Sequence, residues 1–341
     1  MRIGLTAFTS RGMELGRRLA QGLEEQGDLC VLTRGGKEGL SLADWTEAHF
    51  LHSQALIYIG AAGIAVRAVA PWVRSKTTDP AVLCCDENGR YAIPLLSGHI
   101  GGGNDLARRV ADLCGGQAVV TTATDGRGLF AVDSWAKKRG LAIVNPRAIK
   151  TVSARLLAGE RAPLHSDFPI RGALPQGLAL AEEGERCCLR VTDRAVEAEE
   201  GQTELVLAPP SLSVGIGCRR GVSAEQIEAA FLEAFDQAGL APQSAAWVCS
   251  IDLKAREPGL LAFCAARGLT PRFYSSEELA QVKGSRSSSD FVRQTVGVDN
   301  VCERAALAQG GQLVLGKQAR QGVTVAAARR TYFVDFEGET L

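Results

Sequence analysis

Over the first 145 residues, short apolar runs alternate with stretches of helical spacing. Arg2 to Phe8 reads as a strand, and Met13 to Glu25 has the periodicity of the helix after it. Ala55 to Ile59 is an apolar run that meets Gly60-Ala61-Ala62-Gly63, after which helical spacing runs through Val73. Ala81 to Cys85 is another strand, closed by the turn Asp86-Glu87-Asn88-Gly89. Asn104 to Cys114 reads as helix, and Ala118 to Thr122 returns to strand. Such alternation predicts a mostly parallel sheet with helices on both faces, whose ligands sit at the carboxyl ends of the strands.

From about 146 the pattern loosens. Ala148 to Ala158 predicts one helix and Cys187 to Val191 one strand, in a stretch otherwise punctuated by Pro and Gly. Pro209-Pro210 reads as a linker, because two prolines cannot continue a helix or a central strand. Regular alternation resumes at Leu212. Strands are expected at Leu212 to Gly217, Ala246 to Ile251 and Arg272 to Tyr274, and again at Leu313 to Leu315 and Thr324 to Ala328. Helices fill Ala224 to Ala238, Pro258 to Arg267 and Val301 to Ala308. Ser223 with Gln226, and Ser275 with Glu278, have capping-box spacing. Lys283 to Asp290 is Ser-rich and reads as a loop. The expected architecture is α/β: a mostly parallel Rossmann-like N-terminal domain over 1–145, a small α+β middle region over 146–210, and a separate α/β C-terminal domain over 211–341.

Composition narrows the function classes. The 341 residues carry 38 Lys plus Arg against 38 Asp plus Glu, so no excess positive charge favours duplex nucleic acid or an anionic membrane. Hydrophobic residues make up 46% and charged residues 22%, an ordinary globular balance that argues against long disorder. The ten cysteines contain no CxxC, which disfavours structural zinc and iron–sulfur sites. The start MRIGLTAFTSRG lacks the apolar stretch of a signal peptide, and the longest uncharged apolar run ends at Arg67, too short for a membrane span. A cytoplasmic protein with reduced thiols and no metal of its own is expected.

Three segments carry candidate chemistry. Gly60-Ala61-Ala62-Gly63 joins a strand to a helix, where free N–H groups suit an anion. With Asp86 further on it imitates a dinucleotide site, although GxxG is not GxGxxG. Pro94 to Asp105 holds Ser97, Gly98, His99, Gly101, Gly102 and Asn104; so many glycines suggest backbone close to a ligand, with His99 as a general base near neutral pH. Thr122, Thr124 and Asp125 end a strand with hydroxyls and a carboxylate. Arg67, Arg74, Lys76, Arg219, Arg220 and Lys254 lie in or after loops and suit a polycarboxylate. For each segment a plain structural role remains open: a tight turn, a hydrogen-bonded histidine, solvated surface charge.

These segments together resemble the cobalt-precorrin-5A hydrolase family of anaerobic cobalamin biosynthesis. The resemblance lies in Gly60 to Arg67, Lys76 with Asp79 to Val82, Asp86-Glu87, PLLSGHIGGGNDLA from Pro94 to Ala107, and Thr121 to Asp125. It continues in Val214 to Gly221, Ser250 to Lys254 with Glu257 to Leu260, Phe291-Val292, Gly297-Val298 and Glu303. Gly103 departs from it, since the family is expected to carry Ala there. The resemblance implies a hydrolase that opens the ring A δ-lactone of a cobalt corrinoid and releases acetaldehyde. The cobalt then belongs to the substrate, and no cofactor is expected. Arg67, Lys76, Arg219, Arg220 and Lys254 would meet the side-chain carboxylates, and the glycine loops would lie against the ring. In that scheme His99 is the base, Asp86 or Asp125 orients it, and N–H groups of Gly101 to Gly103, or of the helix after Gly63, hold the oxyanion. Brief contact with neighbouring pathway enzymes is a further expectation. A nicotinamide-dependent oxidoreductase and a noncatalytic tetrapyrrole carrier are the competing readings.

Overall fold

The structure is a computed structural model, and it describes residues 1–35, 41–75, 78–99, 101–121, 129–196, 203–284 and 300–337. The chain divides into two compact units, Met1–Trp135 and Ala136–Leu341.

The first unit is built on one six-stranded sheet. In chain order it runs β1 (Arg2–Ala7), α1 (Ser10–Glu25), β2 (Leu29–Arg34), α2 (Leu42–His52), β3 (Ala55–Ile59), α3 (Ala62–Val69), β4 (Ala81–Cys85), β5 (Tyr91–Leu96), α4 (Gly103–Cys114) and β6 (Gln117–Ala118). A further helix, α5 (Val132–Lys138), begins in this unit. The strand order is β2-β1-β3-β4-β5-β6. Helices cover both faces. Leu15, Leu19 and Leu23 of α1 recur every four residues and pack with Leu106 and Val110 of α4 on one face. Trp45 and Phe50 of α2 pack with Ala65 and Val69 of α3 on the other. All five residues of β3 and of β4 are therefore buried, which explains their unbroken apolar runs. α1 is capped by Thr9, whose Oγ1 accepts the Gly12 N–H at 3.0 Å.

One feature departs from the expected parallel sheet. β1 to β4 are parallel, but β5 runs antiparallel to β4, and β6 is parallel to β5. The carboxyl ends of β1 to β4 thus share one edge of the sheet, and those of β5 and β6 lie on the opposite edge. Pro94 sits inside β5 beside a register shift in β4, where a missing ladder donor is tolerated. The helix after Gly63 stops at Val69, four residues earlier than its spacing suggested.

The second unit holds two five-stranded sheets. The first contains β7 (Ala142–Ile143), β8 (Ala162–Ser166), β10 (Leu178–Leu180), β11 (Leu189–Val191) and β12 (Leu205–Ala208), ordered β10-β8-β11-β12-β7, with α6 (Ile149–Leu157) against it. The short β9 (Ile170–Arg171) lies outside this order. The middle segment is thus richer in strand than one helix and one strand.

The last sheet contains β13 (Leu212–Cys218), β14 (Ala245–Ile251), β15 (Thr270–Tyr274), β16 (Gln312–Arg320) and β17 (Val323–Arg329) in the order β15-β14-β13-β17-β16. α7 (Ala224–Gln237) and α8 (Pro258–Arg267) pack on one face through Phe231, Phe235 and Phe263. Both expected capping boxes form, at Ser223 before α7 and at Ser275 before α9 (Ser276–Gln281). The other face carries α10 (Val301–Leu307), which lies directly on β13: a Cβ on Gly215 would fall 1.8 Å from the Cys302 carbonyl oxygen. β18 (Val334–Asp335) pairs with β9. Asp193, wholly buried, binds both Nε and Nη2 of Arg329, at 2.5 and 2.6 Å, and accepts from Ser211 at 3.1 Å.

Candidate functional site

The segment after β5 folds into a tight loop ahead of α4. The Gly103 N–H donates to the Ser97 carbonyl at 3.1 Å, Asn104 N–H to Gly98 at 2.8 Å, and Gly102 N–H to His99 at 2.8 Å. Gly102 has φ +81°, a left-handed conformation that suits glycine. Ser97 also has positive φ, at 53°, which strains a residue with a side chain. Its hydroxyl donates to the Asp79 carbonyl at 2.9 Å, and the buried Asp79 carboxylate accepts the N–H groups of Arg74 and Ser75. A Cβ on Gly101 would come 2.3 Å from that of Ser97, and one on Gly103 would press on the Leu96 and Ser97 carbonyls. The glycines are there for close backbone packing, and Gly103 is more than added flexibility.

This loop presents His99 to Asp133. Nδ1 of His99 lies 3.4 Å from Oδ2 of Asp133, in the first turn of α5, and both side chains are mostly buried. The chain on either side of Asp133 carries the buried rings of Phe130 and Trp135. The separation exceeds an ordinary N–H···O distance of about 3 Å, as catalytic contacts often do before substrate binds. The sequence reading missed Asp133; its only signal was a carboxylate opening a short helix downstream of the threonine-rich segment.

Asp86 does not take the place beside His99. It follows β4, whereas His99 follows the antiparallel β5, so the two stand at opposite edges of the sheet. Asp86 accepts the N–H groups of Tyr91 at 2.7 Å and Asn88 at 3.1 Å, and so builds the hairpin turn. Burial raises its pKa, but the N–H bonds from Tyr91 and Asn88 outweigh burial and hold the carboxyl below its ordinary value. The expected ribose-binding acid thus spends one lone pair of each oxygen on the backbone of its own turn. Asp125, Thr122, Thr124 and Lys76 lie outside the described residues.

Gly60, Ala61, Ala62 and Gly63 lie at the carboxyl end of β3, on the Asp86 edge. The Gly60 N–H bonds the Cys85 carbonyl at 2.8 Å, and α3 has no side-chain cap. Arg67 folds back onto its own helix, donating to the Gly63 carbonyl at 3.2 Å. The oxyanion expectation also narrows. Gly102 and Gly103 use their N–H groups inside the loop, which leaves Gly101 as that trio's donor among the described residues.

In the second unit, Arg219, Arg220 and Lys254 gather at the carboxyl ends of β13 and β14. The two arginine side chains are exposed, but Lys254 is committed to Glu257, with Nζ to Oε2 at 3.1 Å. The other oxygen of Glu257 accepts the Gly221 N–H at 2.8 Å. Those two contacts, the backbone bond first, hold the Glu257 carboxyl below its ordinary value. Glu257 thereby clamps the loop that carries the two arginines. Glu303 is buried and accepts the Lys317 N–H at 2.9 Å. Among the described residues, no group of three or more His, Cys, Asp or Glu is placed to hold a metal, and no helix is long and apolar enough to cross a membrane.

Three family models match the chain: Cobalamin synthesis G N-terminal over 44–125, Cobalamin biosynthesis central region over 130–209, and Cobalamin synthesis G C-terminus over 212–328. The cobalt-precorrin-5A hydrolase of Salmonella typhimurium is 33% identical, over 95% of this chain and 96% of its own. That of Priestia megaterium is 29% identical, over 96% and 95%. The solved structure of CobE, a protein from the cobalamin (vitamin B12) biosynthetic pathway, is 31% identical over 35% of this chain and 89% of its own, with a TM-score of 0.34.

Proposed function

Because the chain belongs to the cobalt-precorrin-5A hydrolase family, we propose that it opens the ring A δ-lactone of cobalt-precorrin-5A with water and releases the two-carbon unit as acetaldehyde. The observation that carries the chemistry is the His99–Asp133 pair, held by a strained, glycine-packed loop. When Nδ1–H is donated to Asp133, the neutral imidazole carries its lone pair on Nε2, the nitrogen that takes the proton from the attacking water. Water adds to the lactone carbonyl, and the acyl–oxygen bond then breaks to leave a ring A carboxylate and a hydroxyl on the two-carbon unit. As that hydroxyl gives up its proton, its oxygen becomes the carbonyl of acetaldehyde and the carbon–carbon bond to the macrocycle breaks, its electron pair staying with the macrocycle. The Gly101 N–H, in the same loop as His99, is the backbone donor this reading assigns to the oxyanion.

On this reading the cobalt enters and leaves with the corrinoid, and the protein needs no cofactor of its own. Exposed arginines such as Arg219 and Arg220 are cations of the kind that meets peripheral carboxylates. The balanced charge supports a small polyanion over nucleic acid as the ligand. A cytoplasmic setting and brief contacts with the enzymes before and after it fit the same reading.

The test is one incubation with cobalt-precorrin-5A, assayed for acetaldehyde and for product mass. The wild type should release acetaldehyde, and folded His99→Ala should release at least a hundredfold less per unit time. A change in corrinoid absorbance without acetaldehyde from the wild type would mean a carrier instead.

A further inference from the structure

Trp247 of β14 is stacked by two guanidinium groups that no role so far uses. The Cζ of Arg330 lies 3.5 Å from the indole centroid and that of Arg272 lies 5.2 Å from it. Arg272 is on the neighbouring β15, diagonal to Trp247, in register with Cys249. Arg330 follows β17; its N–H donates to the Ser211 carbonyl, and its Nη2 to that of Pro210 at 3.0 Å. The group therefore stands at the amino ends of β13 and β14, across the sheet from Arg219 and Arg220.

Among the described residues the two cations have no counter-charge. Among the described residues no carboxylate lies within 4.0 Å of either guanidinium. Among the described residues, the charges that act most on Arg330 are those of Arg272, Cys249 and Tyr332, and none of them is a carboxylate. The Arg330 Nε is buried without a hydrogen-bond partner. Burial first, then the like charge of Arg272, holds Arg330 below the usual arginine value. Arginines elsewhere in this unit are treated differently. Arg267 stacks on Phe231 and also binds Glu228, and Arg329, next in the chain, is bound by both oxygens of Asp193. Two neighbouring cations, one of them half-buried, are stabilised when an anion completes the group.

We propose that Arg272 and Arg330, stacked on Trp247, form a carboxylate-binding subsite. Its ligand is a small-molecule polycarboxylate, whose carboxylate bridges the two guanidinium forks. Taking that ligand to be the corrinoid substrate, by one of its peripheral side chains, rests on the function proposed above.

Cobyrinic acid, a corrin with free carboxylates, tests the subsite against its uncharged heptamethyl ester, with succinate as a small probe. Binding is read by calorimetry, and KM and kcat with cobalt-precorrin-5A. Arg272→Gln should weaken cobyrinic acid about tenfold and raise KM at constant kcat, with the ester unaffected and Arg272→Lys partly restoring affinity. Arg330→Gln should do the same; if it fails to fold, the exposed Arg272 carries the test alone. Unchanged affinity for cobyrinic acid in folded Arg272→Gln would overturn the subsite, as would failure of the wild type to bind it. Succinate competing with cobyrinic acid only when both arginines are present supports the subsite. If the wild type binds cobyrinic acid through these arginines but releases no acetaldehyde from cobalt-precorrin-5A, the subsite stands and the hydrolase reading falls.

Discussion

Nδ1 of His99 faces Oδ2 of Asp133 across 3.4 Å, and this pairs the glycine-rich loop with the helix that opens at Val132. Asp133 acts through the imidazole, so its loss should show in turnover more than in binding. Asp133→Asn is expected to lower kcat by one to two orders of magnitude, on the order of what second-sphere partners contribute, with KM nearly unchanged. Steady-state kinetics on both parameters checks this; a rise in KM at constant kcat would assign Asp133 to substrate binding instead.

Asp86 should behave in the opposite way. Its carboxylate serves the β4–β5 turn, so Asp86→Ala should cost roughly 1 kcal/mol of stability and leave acetaldehyde release per folded molecule at the wild-type rate. Thermal unfolding beside the activity assay separates the two effects.

Gly101→Ala forces a Cβ to 2.3 Å from the Ser97 Cβ and 2.5 Å from its carbonyl oxygen. Relief requires the loop to open, at a cost of about 1–3 kcal/mol. Because His99 rides on that loop, kcat should fall together with Tm.

Glu257 gives a signed pH dependence. Its carboxyl is held below the ordinary value by the Gly221 N–H and then by Lys254, so the ionised form is favoured in the folded state. The stability it contributes is fully present above the unfolded glutamate value, roughly 4.3, and is lost as pH falls through the lower folded value. In Glu257→Gln this part of the acid decline should vanish. Unfolding curves taken between about pH 3 and pH 6 would show it.

Asp193→Ala leaves the half-buried Arg329 guanidinium without its carboxylate. Because Arg329 keeps some contact with water, the loss should be about 1–3 kcal/mol and Tm should drop accordingly, whereas restoring a carboxylate with Asp193→Glu should recover part of it.

The parts of this fold that could be read from sequence are those where burial leaves a period. β3 and β4 are covered on both faces and appear as unbroken apolar runs; α1 shows Leu15, Leu19 and Leu23 at helical spacing; and Ser223 and Ser275 cap the helices they announce. The sheet of the middle segment left little trace because its strands are two to five residues long, too short to establish an alternation. β5 was hidden by Pro94, which argues against a strand except beside a register shift. At the candidate site, His99 stood out through the glycines around it. Its partner did not, because the contact to Asp133 is made by tertiary folding and no local spacing encodes it.

The reversal at β5 also bears on how this enzyme can change. Gly60 to Gly63 and Ser97 to Gly103 stand at opposite ends of β4, whose five residues span roughly 16 Å at about 3.3 Å each. With that separation, the free-energy effects of substitutions in the two segments should sum. Either segment can then be varied in a library, by laboratory or by natural drift, while the other keeps the sequence it already has.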